Sequence, residues 1–476
     1  MGRIGGSGLP SGLPRGAPPG RCPKPALAIS AIKPRTTIGR MPTTYHTEMT
    51  AGTIGAMKIW AASAWAISLL TLVSLVRAQS QQSLQDAQAA LERKDYTAAL
   101  RLLQPLAQSG DPTAQTMLGS MHALGHGVPQ SYTEATNWFR KSAAQNFAEG
   151  QYQLGTAYLL GLGTPQNNVE ALNWLRRAAN QGHPDAQTNL GMMYAQGQGV
   201  KRSQTEAFNW FRKAAEKGNP VAQGNVGVAY LSGQGVQRNY TEALNWLRKA
   251  ADQNDPQTQA NLAGMYTSGL GVPKNPAQAV ALYRKAADQG VAGAQYSLGV
   301  AYANGMGVPK SEAEAVNWFR KAADQGVPEA QANLGLAYAI GLGVPKNPPE
   351  AVRYASKAAQ RGISQGQESL RGLAEEGYAP AQNELGMTYE KGWGSLKIDA
   401  EAVTWYRKAA EQKFAAAQYN LGRMYLTGRG TPQSDLEAYR WFTRAAAQGH
   451  QDARKQLAEV GKKLTPEQLE QAKQAR

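Results

Sequence analysis

Two histidines and one Ser-x-x-Lys tetrapeptide are the residues whose types and spacing could support metal binding or catalysis. His122 and His126 are four residues apart, a spacing that on a helix can present two imidazoles to Zn²⁺. However, His126 lies between two glycines in a predicted loop, and no third ligand accompanies the pair. Ser30-Ala-Ile-Lys33 has the spacing of a serine nucleophile and its lysine, but it falls in a basic N-terminal tail. We therefore predict no metal site and no catalytic residue.

Recurrent glycines and glutamates also invite a chemical interpretation. Gly-x-Gly sequences such as 197–199 could cradle a phosphate, and glutamates such as Glu206 could act as acids or bases. Both features recur in nearly every member of a series of repeated segments, and no nucleotide-binding glycine motif follows a predicted strand. We interpret them as turn and helix-capping residues, and we predict that the chain binds no cofactor and is not an enzyme.

The first 78 residues differ in composition from the rest of the chain. Residues 1–56 carry seven basic side chains and one acid, and we predict a disordered tail that results from an upstream mis-start. Lys58 then precedes an uncharged run at 59–76 that leads to Ala78-Gln79, the pattern of a secretory signal peptide. The sequence therefore predicts an exported protein, periplasmic or secreted, if translation starts at Met57. The alternative is a membrane anchor formed by residues 59–76.

Charge and cysteine content exclude two classes of site. The net charge of +16 falls to about +8 without residues 1–78, too small an excess for a chain of this length to indicate nucleic-acid binding. The only cysteine, Cys22, lies in the tail, so the rest of the sequence can form neither a disulfide nor a thiolate metal site. The folded part must be stable through packing alone.

From Ala114 onwards the sequence repeats with a period of 36 residues. An Ala-Gln pair or a close relative begins each of nine units, at Ala114, Gly150, Ala186, Ala222, Thr258, Ala294, Ala330, Ala381 and Ala417. The longer step between the seventh and eighth units contains an inserted segment that resembles only a second helix. A period in this range indicates stacked helical hairpins.

Each unit predicts two helices. In the third unit, Leu190 and Tyr194 share a face with the leading alanine, and Gly197 can adopt the left-handed conformation that ends a helix. Ser203, three residues before Glu206, predicts a capping box in which each side chain satisfies a free backbone N–H of the second helix. The same box occurs at Ser131, Asn167, Asn239, Asn275, Ser311, Asn347 and Ser434, whereas Ile398 replaces it in the eighth unit.

Two further positions in each unit bear on packing and on surface properties. Gly191, inside the first helix, predicts close approach by the alanine pair of the second helix, with Trp210 beside it. Arg-Lys pairs such as Arg212-Lys213 are interpreted as a solvated face, with docking on acidic surfaces, membranes or cell-wall polymers as the alternative. Asn239-Tyr-Thr241 is a glycosylation sequon, but we predict that Asn239 caps a helix instead.

The unit resembles the Sel1-like repeat of the tetratricopeptide-like superfamily. The shared pattern is Ala-x-x-x-Leu-Gly-x-x-Tyr, Gly-x-Gly-Val, Glu-Ala-x-x-Trp and Lys-Ala-Ala-x-x-Gly, over residues 114–449. The resemblance implies an all-α, right-handed superhelical α-solenoid of antiparallel helix hairpins, whose first helices line a concave groove. It also implies a scaffold or adaptor that binds other proteins. Some cysteine-rich exported relatives bind or hydrolyse β-lactams, so such an enzyme and a binder of cell-envelope polymers remain the alternatives.

Side chains that vary between units predict the binding surface. Positions two, six and nine after the leading alanine share one helix face and carry apolar or aromatic residues that the shared core does not need. We predict a partner-binding groove formed by Tyr152, Thr156, Leu159, Met192, Tyr296, Val300, Leu336, Met387, Tyr419, Arg423 and Leu426. The alternative is that these residues contact the neighbouring unit. The predicted partner is a protein or peptide and not a nucleic acid; contact with a membrane or the cell envelope stays open, as does the oligomeric state.

The predicted organisation follows from these boundaries. It comprises the tail (1–56), a signal peptide or signal anchor (57–78), a degenerate leading repeat (79–113), repeats one to seven (114–362), an inserted helix (363–380), repeats eight and nine (381–452) and C-terminal capping helices (453–476).

Overall fold

A computed structural model describes residues 74, 75 and 77–474. The tail, Cys22, Ser30-Ala-Ile-Lys33 and nearly all of the predicted signal segment lie outside the described residues. Within the described range all regular structure is α-helical, which confirms the all-α class. No described helix is long and apolar enough to span a membrane. The described residues form two compact units: the N-terminal unit ends at Trp246 and the C-terminal unit begins at Leu247.

In the N-terminal unit, first and second helices alternate along the chain, and each helix from α2 to α10 has 13 residues. The first helices of the hairpins are α1 (described over 77–92), α3 (Pro112–Leu124), α5 (Ala148–Leu160), α7 (Pro184–Gln196) and α9 (Pro220–Ser232). The second helices are α2 (Tyr96–Gln108), α4 (Tyr132–Ala144), α6 (Asn168–Asn180) and α8 (Gln204–Glu216), and α10 (Tyr240–Asp252) contains the boundary between the units.

The C-terminal unit contains five hairpins and three further helices. Its first helices are α11 (Pro256–Ser268), α13 (Ala292–Asn304), α15 (Pro328–Ile340), α18 (Ala379–Lys391) and α20 (Ala415–Thr427). Its second helices are α12 (Pro276–Asp288), α14 (Glu312–Asp324), α16 (Pro348–Gln360), α19 (Asp399–Glu411) and α21 (Asp435–Ala447). The further helices are α17 (Ser364–Glu375), α22 (Gln451–Gly461) and α23 (Pro466–Gln474). Helices that follow one another in sequence pack together from α2 to α9 and from α11 to α22, so each unit is an α-solenoid.

The turn within each hairpin differs in one respect from the predicted capping box. Ser203 accepts a hydrogen bond from the Glu206 N–H at 3.2 Å, as predicted. The Ser203 N–H, however, donates to the Tyr194 carbonyl oxygen of the first helix at 2.9 Å rather than to the glutamate side chain. The same pair of bonds forms around Asn167 and Ser311. The N-cap residue therefore also fastens the second helix to the end of the first.

In most repeats, glycine inside the first helix is required by a large side chain and not by the alanine pair. A Cβ on Gly191 would lie 2.6 Å from the Phe211 ring, and a Cβ on Gly299 would lie 2.6 Å from the Phe319 ring. The prediction that the alanine pair fills this place is therefore wrong. The contacting residue is the one that follows the tryptophan, because its side chain points across the hairpin while the tryptophan packs on the preceding repeat.

The single helix α17 has a dual role in the stack. Its first turn packs on α16 as a first helix would, since a Cβ on Gly366 would lie 2.6 Å from the Ala355 carbonyl oxygen. Its last turns serve α18 as a second helix would, because Arg371 donates to the Tyr389 hydroxyl at 2.5 Å and the Ala374 carbonyl accepts from Gln382 at 3.0 Å. The inserted segment therefore does more than resemble a second helix.

Because α17 has no hairpin partner, the first and second helices of the repeats after it exchange layers within the C-terminal unit. Its C-terminal end lies beside the loop after α15, where Lys346 pairs with Glu376 at 2.7 Å. Its N-terminal part lies beside the loop after α18, where Gln367 donates to Ser395 at 2.9 Å. Since successive helices alternate between two layers, α18 and α20 lie in the layer of α14 and α16. The contacts of α17 with α15 and of α18 with α16 agree with this order.

Candidate functional site

The two histidines of the possible zinc pair have structural surroundings. The His126 ring stacks on Tyr96, with ring centroids 4.2 Å apart. Within the described range, no group of three or more metal-ligating side chains is brought together. Asn239 of the sequon accepts hydrogen bonds from the N–H groups of Thr241 and Glu242, as a helix cap does.

The Arg-Lys pairs hold repeats together instead of forming only a solvated face. The lysine lies over the tryptophan of its own helix, as Lys321 does 3.8 Å from the centre of Trp318. The arginine reaches the next repeat, where Arg320 donates to the Tyr338 hydroxyl at 3.2 Å. The same bond joins Arg176 to Tyr194, Arg248 to Tyr266, Arg284 to Tyr302 and Arg407 to Tyr425. Docking on acidic surfaces, membranes or cell-wall polymers through these pairs stays the alternative prediction.

A glutamine pair that recurs in most repeats was missed by the sequence interpretation. Gln295, directly after the leading alanine of the sixth repeat, donates to the Ala287 carbonyl of the preceding second helix at 3.1 Å. Its side-chain oxygen accepts from Gln325 at 2.7 Å, and Gln325 also donates to the Gly290 carbonyl at 3.1 Å. The only signal in the sequence was the recurrence of both glutamines at the 36-residue period. The pair joins two repeats through the buried amide of Gln295 and the exposed amide of Gln325, so it is structural.

The predicted groove residues of the N-terminal unit are largely occupied by packing. Thr156 and Leu159 are buried, with only 4% and 7% of their surfaces exposed. The Tyr152 ring stacks on His183, whose Nε2 is 2.9 Å from Glu149. Met192 is half-buried against the core of its neighbours. This unit offers little free apolar surface at the predicted positions.

In the C-terminal unit, the predicted residues Tyr296, Val300 and Leu336 are half-buried on adjacent first helices. Tyr296 packs against Phe319, and burial together with the nearby charge of Glu329 raises the pKa of its hydroxyl, although a hydrogen bond with Asn333 opposes this. Leu336 lines a narrow cleft between α13, α14 and α15. These three residues therefore share one surface.

Two residues that the prediction missed extend this surface. Ile340, at the end of α15, has 57% of its surface exposed. Asn304, at the end of α13, is exposed as well and donates only to the Val300 carbonyl among the described residues. We define the first-helix surface as Tyr296, Val300, Asn304, Leu336 and Ile340. It combines apolar side chains with an amide.

The other four predicted residues do not join the first-helix surface. Met387 lies on α18, and Tyr419, Arg423 and Leu426 lie on α20, which α17 places in the opposite layer. Tyr419 stacks on His450, and Leu426 packs on the last core cluster. The seven predicted residues of the C-terminal unit therefore lie in two different layers of that unit.

Arg423 belongs to a buried ionic cluster that the sequence did not reveal. Its guanidinium contacts both carboxylate oxygens of Glu390 at 2.8 Å, and Arg429 donates to the same carboxylate at 3.0 Å. The Glu390 side chain is only 1% exposed. Burial alone would raise the pKa of Glu390, but the hydrogen bond from the Tyr406 hydroxyl and the charge of Arg423 hold it below its usual value. Arg423 is committed to the fold.

The chain is similar to known repeat proteins in sequence and in fold. The Sel1 repeat model matches ten segments, at 88–111, 112–147, 148–183, 184–219, 220–255, 256–291, 292–327, 328–363, 379–414 and 415–450. A protective antigen of uropathogenic Escherichia coli, described as displaying an SLR fold, is 33% identical over 83% of this chain and 92% of its own, with a TM-score of 0.51. A Sel1 repeat protein from Oxalobacter formigenes is 33% identical over 51% of this chain and 96% of its own, with a TM-score of 0.48. No curated protein matches the chain.

Proposed function

The chain belongs to the Sel1 repeat family, whose members generally mediate protein–protein interactions, and from this we propose that it is an exported scaffold that binds a partner protein or peptide. The binding site in this proposal is the first-helix surface of the C-terminal unit. The observation that carries it is the apolar row of Val300, Leu336 and Ile340, which no described residue covers completely. Apolar anchors flanked by amides supply both affinity and hydrogen bonds to a peptide backbone.

The family resemblance supports a binding role over catalysis, because this fold is typically a non-catalytic scaffold. The polar side chains with perturbed pKa values also act in packing: Glu390 binds two arginines, and Tyr296 lies among aromatic neighbours. Turnover of the chromogenic β-lactam nitrocefin by the purified chain, above the rate in buffer, would contradict a purely binding function.

A photo-crosslinking experiment tests the site. A benzophenone amino acid is placed at Ile340 in the full chain, and the matched control carries it at Asn317, which is exposed on the second helix α14. We expect one defined adduct from Ile340 in extracts of the source cell, none from Asn317, and loss of the adduct when Leu336→Glu is added. Equal adducts from both positions, or an adduct that survives Leu336→Glu, would refute the site.

Export is proposed on the sequence pattern at 57–78. N-terminal sequencing of the protein recovered from the source cell should give Gln79 as the first residue. A mature chain that still contains residues 59–76 would instead favour the membrane anchor.

A further inference from the structure

The loop that joins α18 to α19 departs from the equivalent loop of every other repeat. Trp393 stands between its two glycines, and Leu396 stands where six other units have proline. Ile398 stands at the N-cap, where the other second helices from α4 to α21 have serine or asparagine. Leu396 is 80% exposed and Ile398 is 41% exposed, while Trp393 is half-buried. Three large apolar side chains thus occupy one tip of the C-terminal unit.

This tip is unfavourable for the fold itself. Ile398 cannot accept a hydrogen bond from the first turn of α19, so within the described residues this helix begins without a side-chain cap. Replacing a polar N-cap by an apolar residue destabilises a helix, and Leu396 lacks the restricted backbone that proline supplies in the other loops. Exposed apolar residues that reduce stability indicate a surface that is covered when the protein acts.

The surroundings of the tip are basic. Lys397 lies between the two exposed apolar residues, and Lys391 ends the preceding helix with its ammonium partly exposed. The turn before α17 lies beside this loop, since a Cβ on Gly394 would be 3.2 Å from the Ile363 carbonyl oxygen. This turn carries the exposed Arg361. The nearby carboxylate of Asp399 is already paired with Arg429 at 2.7 Å. Cationic side chains therefore lie around the apolar tip, and of the two acids in the first turn of α19, Asp399 is paired and Glu401 is exposed.

We propose that the loop 392–398 docks the C-terminal unit on an anionic lipid surface. Trp393, Leu396 and Ile398 enter the boundary between headgroups and acyl chains, where tryptophan is favoured because one end of its ring system is apolar and the other polar. Lys391, Lys397 and Arg361 remain at the level of the phosphates and attract them. A protein partner is the less favoured occupant, because the apolar residues lie in a short loop among basic side chains and not in a groove.

The decisive variant replaces the tip by the residues of the other repeats. Leu396→Pro with Ile398→Ser introduces the residues that the sixth repeat has at the equivalent positions, Pro309 and Ser311. If the tip has only a structural role, the double variant should be stable and its binding unchanged. We expect this double variant to be at least as stable as the parent and to bind vesicles of phosphatidylcholine with phosphatidylglycerol about tenfold more weakly. Met306→Ser, in the equivalent loop of the sixth repeat, is the matched control and should leave binding unchanged.

A local probe separates this tip from the apolar run at 59–76, which can bind vesicles in the full chain. An environment-sensitive fluorophore is attached to Leu396→Cys in a Cys22→Ser background and, as a control, to Met306→Cys. We expect a blue shift on anionic vesicles only from position 396, reduced on pure phosphatidylcholine and at high salt. Vesicle binding without a shift at 396, equal shifts at both positions, or a concentration-dependent shift without vesicles would overturn the proposal; the last outcome would identify a second copy as the occupant.

Discussion

Lys217 occupies the position at which the glutamine pair of the third repeat is incomplete. In the sixth repeat the corresponding residue, Gln325, donates both to Gln295 and to the Gly290 carbonyl. Lys217 donates to the Gly182 carbonyl, but its ammonium does not reach Gln187. The Gln187 side-chain oxygen is therefore buried without a hydrogen-bond partner among the described residues. We expect Lys217→Gln to stabilise this repeat by completing the pair.

The expected magnitude combines three contributions. A buried acceptor without a partner costs about 1–3 kcal/mol, and the new glutamine removes that cost. The bond to the Gly182 carbonyl is retained, because a glutamine at this place donates to both acceptors in the sixth repeat. Against this, the lysine charge at the C-terminal end of α8 contributes about 0.3–1 kcal/mol through the helix dipole. The net expectation is a gain of about 1 kcal/mol in the free energy of local unfolding.

Hydrogen–deuterium exchange, followed by mass spectrometry on peptides from α7 and α8, measures this local free energy. The gain corresponds to exchange about fivefold slower than in the parent. Gln325→Lys, the reverse change in the sixth repeat, should accelerate exchange there by a similar factor. Lys217→Met removes the charge but leaves Gln187 without a partner, so it should not stabilise. If Lys217→Met protects as well as Lys217→Gln, or if Lys217→Gln accelerates exchange, the reasoning about the glutamine pair is refuted.

Three further predictions concern packing and charge. Gly299→Ala should destabilise by about 1–3 kcal/mol because its Cβ meets a buried phenylalanine ring, whereas Gly293→Ala in the same helix, with open space around its Cβ, should be neutral or slightly stabilising in urea denaturation. Glu390→Gln should cost about 3 kcal/mol at neutral pH because it leaves Arg423 without its counter-charge. The pKa of Glu390 is lowered in the folded state, so the ionised carboxylate stabilises the parent above the usual carboxylate pKa. This stabilisation is lost as the pH falls through the lowered pKa. The free energy of unfolding of the variant should therefore fall less steeply at acid pH than that of the parent. Burial raises the pKa of Glu384, so Glu384→Gln should stabilise the folded protein at pH 7. The substitution should have no effect at a pH where the carboxylate is protonated in both the folded and the unfolded state. An equal effect at both pH values would contradict this.

Most of the repeat architecture could be predicted because its determinants are local. The leading alanine, the tyrosine eight residues later and the closing glycine report helix faces and helix ends, which depend on residues three to eight positions apart. The cap at Ser203 was predicted for the same reason, and the structure confirms its bond to the Glu206 N–H. The partner of the Ser203 N–H was missed, because that bond depends on how closely the two helices meet.

The candidate site could be predicted only in part. Tyr296, Val300 and Leu336 were named from helix periodicity and do share a surface, whereas the burial of Leu159 depends on a neighbour in the next helix. Periodicity indicates which face of a helix a residue occupies, but not what covers that face. Ile340 was missed because exposure at the end of a helix depends on the loops around it.

The sequence by itself determined the class of fold, the repeat and the helix ends, since backbone hydrogen bonds, caps and apolar periodicity are properties of short segments. Tertiary structure alone decided in which layer of the C-terminal unit each helix lies. One unpaired helix, α17, reverses the alternation of layers, so the same sequence pattern faces one side in α15 and the other in α20. Tertiary structure also decided that Arg423 is bound by Glu390, because an ionic contact between residues 33 positions apart requires both helices to be in place.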